Sequence, residues 1–358
     1  MTITMRNILV AGGCGFVGSS IALAQKASRD GVRVVALDNL KRRGSELQLQ
    51  RLAAGGVEFV HGDIRAPADL DACGSFDLLI DCSAEPSVHA GVGGDPRYLI
   101  DTNLVGTLNG LEAARRNSAG VVFLSTSRVY SIDALKILPL VESETRFELH
   151  GRSTGWSTAG IDEDFSTAAP RSLYGTTKLA SELFVQEYSA QYGVDAVIAR
   201  CGVIAGPWQM GKVDQGFVAL WCARHLWGGP LALIGYGGSG KQVRDLMHID
   251  DLVDLVGILV DRLSNFKGVL FNAGGGLDVS VSLLELTGHC KRYGSGDIVW
   301  SRQPKTPAVD IPWYVTDYHR VSDMSGWSPT RTVSNIVEDT FAWLAANEAV
   351  LRPILAAP

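Results

Sequence analysis

Apolar positions in the first two hundred residues fall into two alternating patterns. "RNILVAGG", "VRVVALD", "VEFVHGD", "DLLIDCSA", "GVVFLST" and "AVIARCG" are short, nearly continuous apolar runs rich in β-branched residues. Strands covered on both faces of a parallel sheet read this way. Between them lie longer periodic stretches such as "SIALAQKASRDG" and "YLIDTNLVGTLNGLEAARRN", which read as helices. The alternation predicts right-handed β-α-β crossovers and a doubly wound parallel sheet. No internal repeat of solenoid period is visible.

After about residue 205 the rhythm loosens, and glycine and aromatic residues become frequent ("GPWQMGK", "LIGYGGSGKQ", "KRYGSGDIVW"). We therefore expect residues 1–205 to form the main domain, with returns near 244–275, and residues 206–358 to form mainly a smaller substrate-binding region. The stretch "FELHGRSTGWSTAGIDEDFSTAAPRS" shows no clear periodicity. Loops of that length are usually functional or mobile.

Composition narrows the class. The chain has 358 residues, 46% of them hydrophobic and 20% charged, which fits a compact globular protein. A formal net charge of −6 gives no basic surplus for nucleic acid or an anionic membrane. The longest apolar candidate for a span, "DLVDLVGILVDRL", is interrupted by Asp251, Asp254 and Asp261 and falls short of the roughly 20 residues a bilayer needs. It reads as an amphipathic helix. The six cysteines lack C-x-x-C spacing, so neither a disulfide framework nor a metal site is expected. "MTITMRNILV" lacks the features of a secretory signal. The reading is a cytoplasmic protein.

Candidate chemistry begins at "GGCGFVGSS", where Gly12, Gly15 and Gly18 follow an apolar strand and open a helix. Glycines so placed allow a tight turn, close backbone approach to a pyrophosphate and tight helix-on-strand packing. Asp38 follows Gly18 by twenty residues at the end of the next strand, placed for ribose hydroxyls. The fold expected is thus α/β, a Rossmann-type doubly wound sheet binding a dinucleotide. The Asp38 charge should repel a 2′-phosphate, so the cofactor is read as NAD; Lys41, Arg42 and Arg43 close behind are read as a solvated basic loop. Asp63 is a candidate adenine contact. Phe16, Val17, Asn39, Ile64, Ser83 and Ala84 complete the expected cofactor contacts.

In "SLYGTTKLASE", Tyr174 precedes Lys178 by one helical turn, so both share a face. A phenol titrates near pH 10, and a neighbouring ammonium favours its ionised form. Tyr174 can then take a proton from a hydroxyl as hydride leaves for a nicotinamide, and both residues are expected near the cofactor.

Together the glycine triplet, Asp38, "LSTSRVY", "YGTTK" and "RCGVIAGP" resemble the extended short-chain dehydrogenase/reductase family, nearly end to end. The resemblance implies that Thr126 bonds the reacting sugar hydroxyl, that Lys178 also holds the nicotinamide ribose, and that Asn103 stands near the cofactor, the alternative being that it only ties helix to sheet. It implies a nucleotide-diphosphate sugar as substrate, with Arg244 on the diphosphate and Asp245 and His248 as supports. Ser87, Arg128, Gln215 and Arg302 are further candidate substrate contacts. Dehydratases of the family usually carry an acidic pair after the Ser/Thr; here Ser127 and Arg128 stand there, against 4,6-dehydration. "ESETRF", "GWSTAGIDEDFST", "DQGFVALWC" and "GKQVRD" look like the branch that epimerises CDP-paratose and CDP-tyvelose at C2. A UDP-sugar 4-epimerase, a net sugar oxidoreductase and a non-catalytic NAD-binding protein are the alternatives.

Some positions depart from the family. Asp81 to Ala84 replaces "HLA", Glu85 stands where glutamine is common, and Val203 replaces an asparagine. Pro312 sits where an arginine often holds phosphate, which Arg302 could offset. The resemblance also implies a homodimer formed by the Tyr174 helix and the helix near residues 96–117.

Overall fold

In the computed structural model, residues 6–211 and 215–355 are described. Asp214 of the "DQGF" stretch lies outside them. The chain divides into two compact units: residues 1–126, 173–200 and 253–271 form one, and residues 127–172, 201–252 and 272–358 the other.

The first unit is built on a seven-stranded sheet. Its strands are β1 (Asn7–Ala11), β2 (Arg33–Asp38), β3 (Glu58–His61), β4 (Leu78–Asp81), β5 (Gly120–Thr126), β6 (Ala196–Cys201) and β7 (Val269–Ala273), in the order β7-β6-β5-β4-β1-β2-β3. β1 pairs parallel with β2 and β4, β2 with β3, and β4 with β5. Strand order reverses after β1, the switch point at which α/β folds bind ligands. β4, β5 and β6 are buried throughout, as unbroken apolar runs require. β3 differs from the expectation of burial on both faces. It is the edge strand, and Glu58 and His61 are exposed.

Helix α1 (Phe16–Ser28) follows β1. The stretch expected as one helix near 96–117 is instead α2 (Arg97–Ile100), a wide π turn over Asp101–Val105, and α3 (Gly106–Asn117). Such insertions are frequent at functional sites. Helix α4 (Leu173–Tyr192) packs on β5 and on the π turn.

The second unit has its own sheet. Val243–His248 runs parallel to Val203–Ala205 and Trp313–Tyr314, and antiparallel to Ser280–Ser282. Gly229–Ile234 and Ile298–Gln303 form a separate parallel ladder. The aperiodic stretch pairs Phe147–Leu149 antiparallel with Leu140–Glu142, which precedes it, and contains a second short pair, Trp156–Ser157 with Gly160–Ile161. Strands of two or three residues are too short to show alternation. Among the described residues, no helix is long and apolar enough to cross a membrane.

Candidate functional site

The β1–α1 turn is shaped by its glycines. Gly12 has φ 72°, a left-handed conformation that side chains resist. A Cβ there would come within 2.9 Å of Cys82 O and Ser83 Cα. Gly18 sits so close to Gly12 O that any side chain is excluded. Gly15 is the N-cap of α1, with no side-chain cap and no acid in the first turn. Phe16 and Val17, both partly exposed, begin the helix. An uncapped helix start with positive dipole beside bare backbone suits a pyrophosphate.

Asp38 ends β2. Its Oδ2 accepts from Cys14 N at 2.9 Å and its Oδ1 from Leu40 N at 2.8 Å. Burial raises its pKa, against the lowering effect of these backbone donors. Burial, then Asp38, pushes the Cys14 thiol up to about 12, so that thiol stays protonated. At the end of β3, Asp63 accepts from Asn39 Nδ2 at 2.9 Å and from Arg65 Nε and Nη2 at 2.9 and 2.7 Å. The Arg65 bonds lead in holding its carboxyl well below the usual range. Ile64 is buried and meets Gly106, where a Cβ would lie 2.6 Å from Ile64 Cγ2.

Ser83 and Ala84 follow β4. Ser83 donates through N and Oγ to Asp81 Oδ1 at 2.9 and 2.6 Å, and Thr107 Oγ1 donates to Asp81 Oδ2 at 3.1 Å. The "DCSA" departure therefore supplies a buried carboxylate that fixes this loop. Asn103 lies in the π turn and is fully buried. It accepts from Glu85 N at 2.8 Å and donates to Glu85 O at 3.1 Å and Thr177 Oγ1 at 3.2 Å. Its amide thus ties the loop after β4 to α4. Ser87, also buried, accepts from His89 N through Oγ at 3.2 Å.

Tyr174, Lys178 and Glu182 form one stripe of α4, and all three are buried. Lys178 Nζ lies 4.0 Å from the centroid of the Phe123 ring on β5. Glu182 accepts from Ser125 Oγ in a short bond and from Arg200 Nε and Nη2 at 3.1 and 2.8 Å. Thr126, next in the chain, ends β5 and is 8% exposed. The sequence reading passed over Glu182, although its i, i+4 spacing from Lys178 was available.

The remaining candidates lie in the second unit. Arg244 donates to Asp310 Oδ1 at 2.9 Å, Ile311 O at 2.7 Å and Val243 O at 2.7 Å. Tyr236, at φ 48°, gathers the charges around it. Burial and Asp310 push its phenol up, and Arg244 and Arg128 pull it down. Arg302 packs on the same turn, its Cβ 3.0 Å from where a Gly238 Cβ would lie. Arg128 and Arg244 thus act on the Tyr236 phenol through their charge, and the Arg302 stem packs beside Gly238. Gln215 precedes the helix Phe217–Trp227. Asp245 is fully buried and accepts from Gly275 N at 3.0 Å. His248 accepts from Asp250 N at 3.0 Å, faces Asp339 at 3.3 Å, and burial lowers its pKa. Among the described residues, its Nε2 has no hydrogen-bond partner and meets Asp339 only as a charge neighbour. Lys41 is not part of a merely solvated loop: its Nζ lies 2.9 Å from the Tyr98 ring centroid.

A glycine turn into an uncapped helix at a sheet's switch point is the layout of an α/β enzyme that uses a dinucleotide. Residues 8–274 match the model of the NAD dependent epimerase/dehydratase family, and the chain belongs to that family as an NAD-dependent enzyme. It is 30% identical to the CDP-paratose 2-epimerase of Salmonella typhi, covering 95% of this chain and 99% of that protein. It is 27% identical to a dTDP-glucose 4,6-dehydratase of Streptomyces niveus, covering 97% and 95%. Its fold is similar to UDP-glucuronic acid 4-epimerase from Bacillus cereus, with TM-score 0.77, 22% identity, and coverage of 95% and 99%.

Proposed function

We propose that this enzyme inverts C2 of a CDP-sugar of the paratose/tyvelose type through a transient keto-sugar. The observation that carries the choice of epimerisation over dehydration is the turn after Thr126, which holds Ser127 and Arg128 where an eliminating enzyme needs an acid. Identity of 30% over 95% of the chain to a CDP-paratose 2-epimerase, against 27% over 97% to a dTDP-glucose 4,6-dehydratase, supports the same choice.

Gly12, Gly15, Phe16, Val17, Asp38, Asn39, Asp63, Ile64, Ser83, Ala84 and Asn103 hold or frame the cofactor in this reading. When bound, NAD supplies a hydride acceptor that gives the hydride back within the same turnover. Thr126 orients the sugar hydroxyl, and Tyr174 takes its proton at Oη and later returns it. Lys178 keeps positive charge beside that phenol, which favours the ionised form. Arg244, fixed by Asp310 and two carbonyls, binds the diphosphate, with Arg128 and Arg302; Ser87 and Gln215 contact the substrate.

The proposal includes a cytoplasmic homodimer built through α3 and α4. Leu183 is 58% exposed and Phe184 41%, an apolar pair on a surface helix that a partner would cover. Light scattering tests the dimer.

The reaction is tested by proton NMR of the purified protein with CDP-, UDP-, GDP- and ADP-sugars, without added cofactor and then with NAD. Inversion at C2 of a CDP-sugar is the expected result. Inversion at C4 of another sugar moves the substrate, and no inversion of any overturns the reading.

A further inference from the structure

Tyr98 opens the segment that leads into the π turn, and its ring is met by two cations. Lys41 Nζ lies 2.9 Å from the ring centroid and Arg65 Cζ 4.7 Å from it. Lys41 belongs to the loop after β2, Arg65 to the loop after β3, and Tyr98 to α2. These loops leave the same edge of the sheet as Asp38 and Asp63. They are also bonded to each other. Asn39 Nδ2 donates to Asp63, Lys41 N donates to Asn39 Oδ1 at 3.1 Å, and Arg65 grips Asp63 with two nitrogens. Asn109 Nδ2 on α3 donates to Ile64 O and Arg65 O, each at 3.0 Å. The segment Asp63–Arg65 is thus held from both sides, and Tyr98 joins it to the β2 loop.

Lys41 and Arg65 are exposed, so nothing in core packing explains why two long cations should be ordered on one ring. Ordering each costs side-chain entropy, and a cation on an aromatic face recovers only part of that at an exposed site. The arrangement gains a purpose if it closes over a ligand. An enzyme that oxidises and reduces the same sugar in one turnover must keep its cofactor between the two steps.

We propose that Lys41, Tyr98 and Arg65 form a latch over the adenine end of the NAD site, and that this latch slows cofactor release. The inference rests on the NAD site described above and on the retention that the epimerase reading demands. Tyr98 is a positioning residue here: it acts by tying two loops together and takes no part in proton transfer. The latch also directs the Lys41 ammonium onto the ring, away from the role of receiving a 2′-phosphate.

The test is cofactor release measured without any sugar. Protein loaded with NADH is mixed with excess NAD, and the loss of bound-NADH fluorescence gives the rate. Tyr98→Leu, which keeps an apolar side chain but no ring, should release NADH about three- to thirty-fold faster, the range expected for loss of a cation–π contact. Lys41→Met, at an exposed position that folding does not depend on, should speed release at least about threefold. Tyr98→Phe keeps the ring and should behave as wild type. Wild-type release from both Tyr98→Leu and Lys41→Met overturns the latch, as does Tyr98→Phe releasing as fast as Tyr98→Leu. Because no sugar is present, these outcomes stand apart from the NMR test: inversion can succeed with the latch refuted, and fail with it confirmed.

Discussion

The Lys178 ammonium sits 4.0 Å from the centroid of the Phe123 ring, on a side chain only 2% exposed. A buried cation over an aromatic face is favoured more strongly than an exposed one, because less water competes for it. The contact fixes α4 against β5 three residues before Thr126. One turn earlier on the same stripe stands Tyr174.

Replacing Lys178 with methionine keeps the packing on Phe123 and removes the charge. In the role proposed for Lys178, this removes the charge that favours the ionised phenol of Tyr174. The expected outcome is a lower kcat and a pH–rate profile displaced to higher pH, read from initial rates across pH 6–10. A profile unmoved from wild type contradicts the role given to Lys178.

Glu182 and Arg200 form a buried pair, 1% and 7% exposed at the side chain, and Ser125 adds a third bond. Removing one partner of such a pair leaves the other buried and uncompensated, at about 3–5 kcal/mol. Glu182→Ala should therefore lower the urea midpoint sharply. Because Ser125 adjoins Thr126, surviving protein should also lose kcat.

Asp38→Ala removes the acceptor for Cys14 N and Leu40 N. Two charge-assisted bonds at about 1.5–3 kcal/mol each hold this corner. NAD affinity should fall at least about tenfold by titration calorimetry, alongside a lower melting temperature. Unchanged affinity contradicts the assignment.

Asp245 gives a pH signature. Burial pushes its carboxyl up to about 6 from an ordinary 3.8. Between these values the folded chain binds more proton than the unfolded one, so stability falls as pH rises through the window. The displacement of about two units corresponds to about 3 kcal/mol. Asp245→Asn keeps an acceptor for Gly275 N and removes the titration. Wild type should lose about that much stability relative to the variant from pH 4 to 6, measured by urea unfolding at each pH.

Some of this was legible in the chain. Gly12 and Gly18 could be read because the turn needs a left-handed residue at the first and leaves no room for a Cβ at the second, and Tyr174 with Lys178 because helical spacing places them on one face. The doubly wound sheet followed from short apolar runs alternating with helical ones. Other features depend on tertiary contacts without a local signature. Lys41, Arg65 and Tyr98 come from three separate segments, and each looks like an ordinary surface residue. Asn103 could be picked out as a cofactor candidate, yet its bonds to Glu85 and Thr177 required a π turn that interrupts a helical pattern without changing it. Edge exposure of β3 depends on strand order, which its own apolar run does not encode.

The most direct test of a keto-sugar formed and reduced within one turnover is an isotope experiment. A CDP-sugar carrying deuterium at C2 is incubated with the enzyme in ordinary water, and the inverted product is examined by NMR. Deuterium should remain on C2, because the hydride removed is the one returned. Washing out of the label to solvent, with inversion intact, would contradict it.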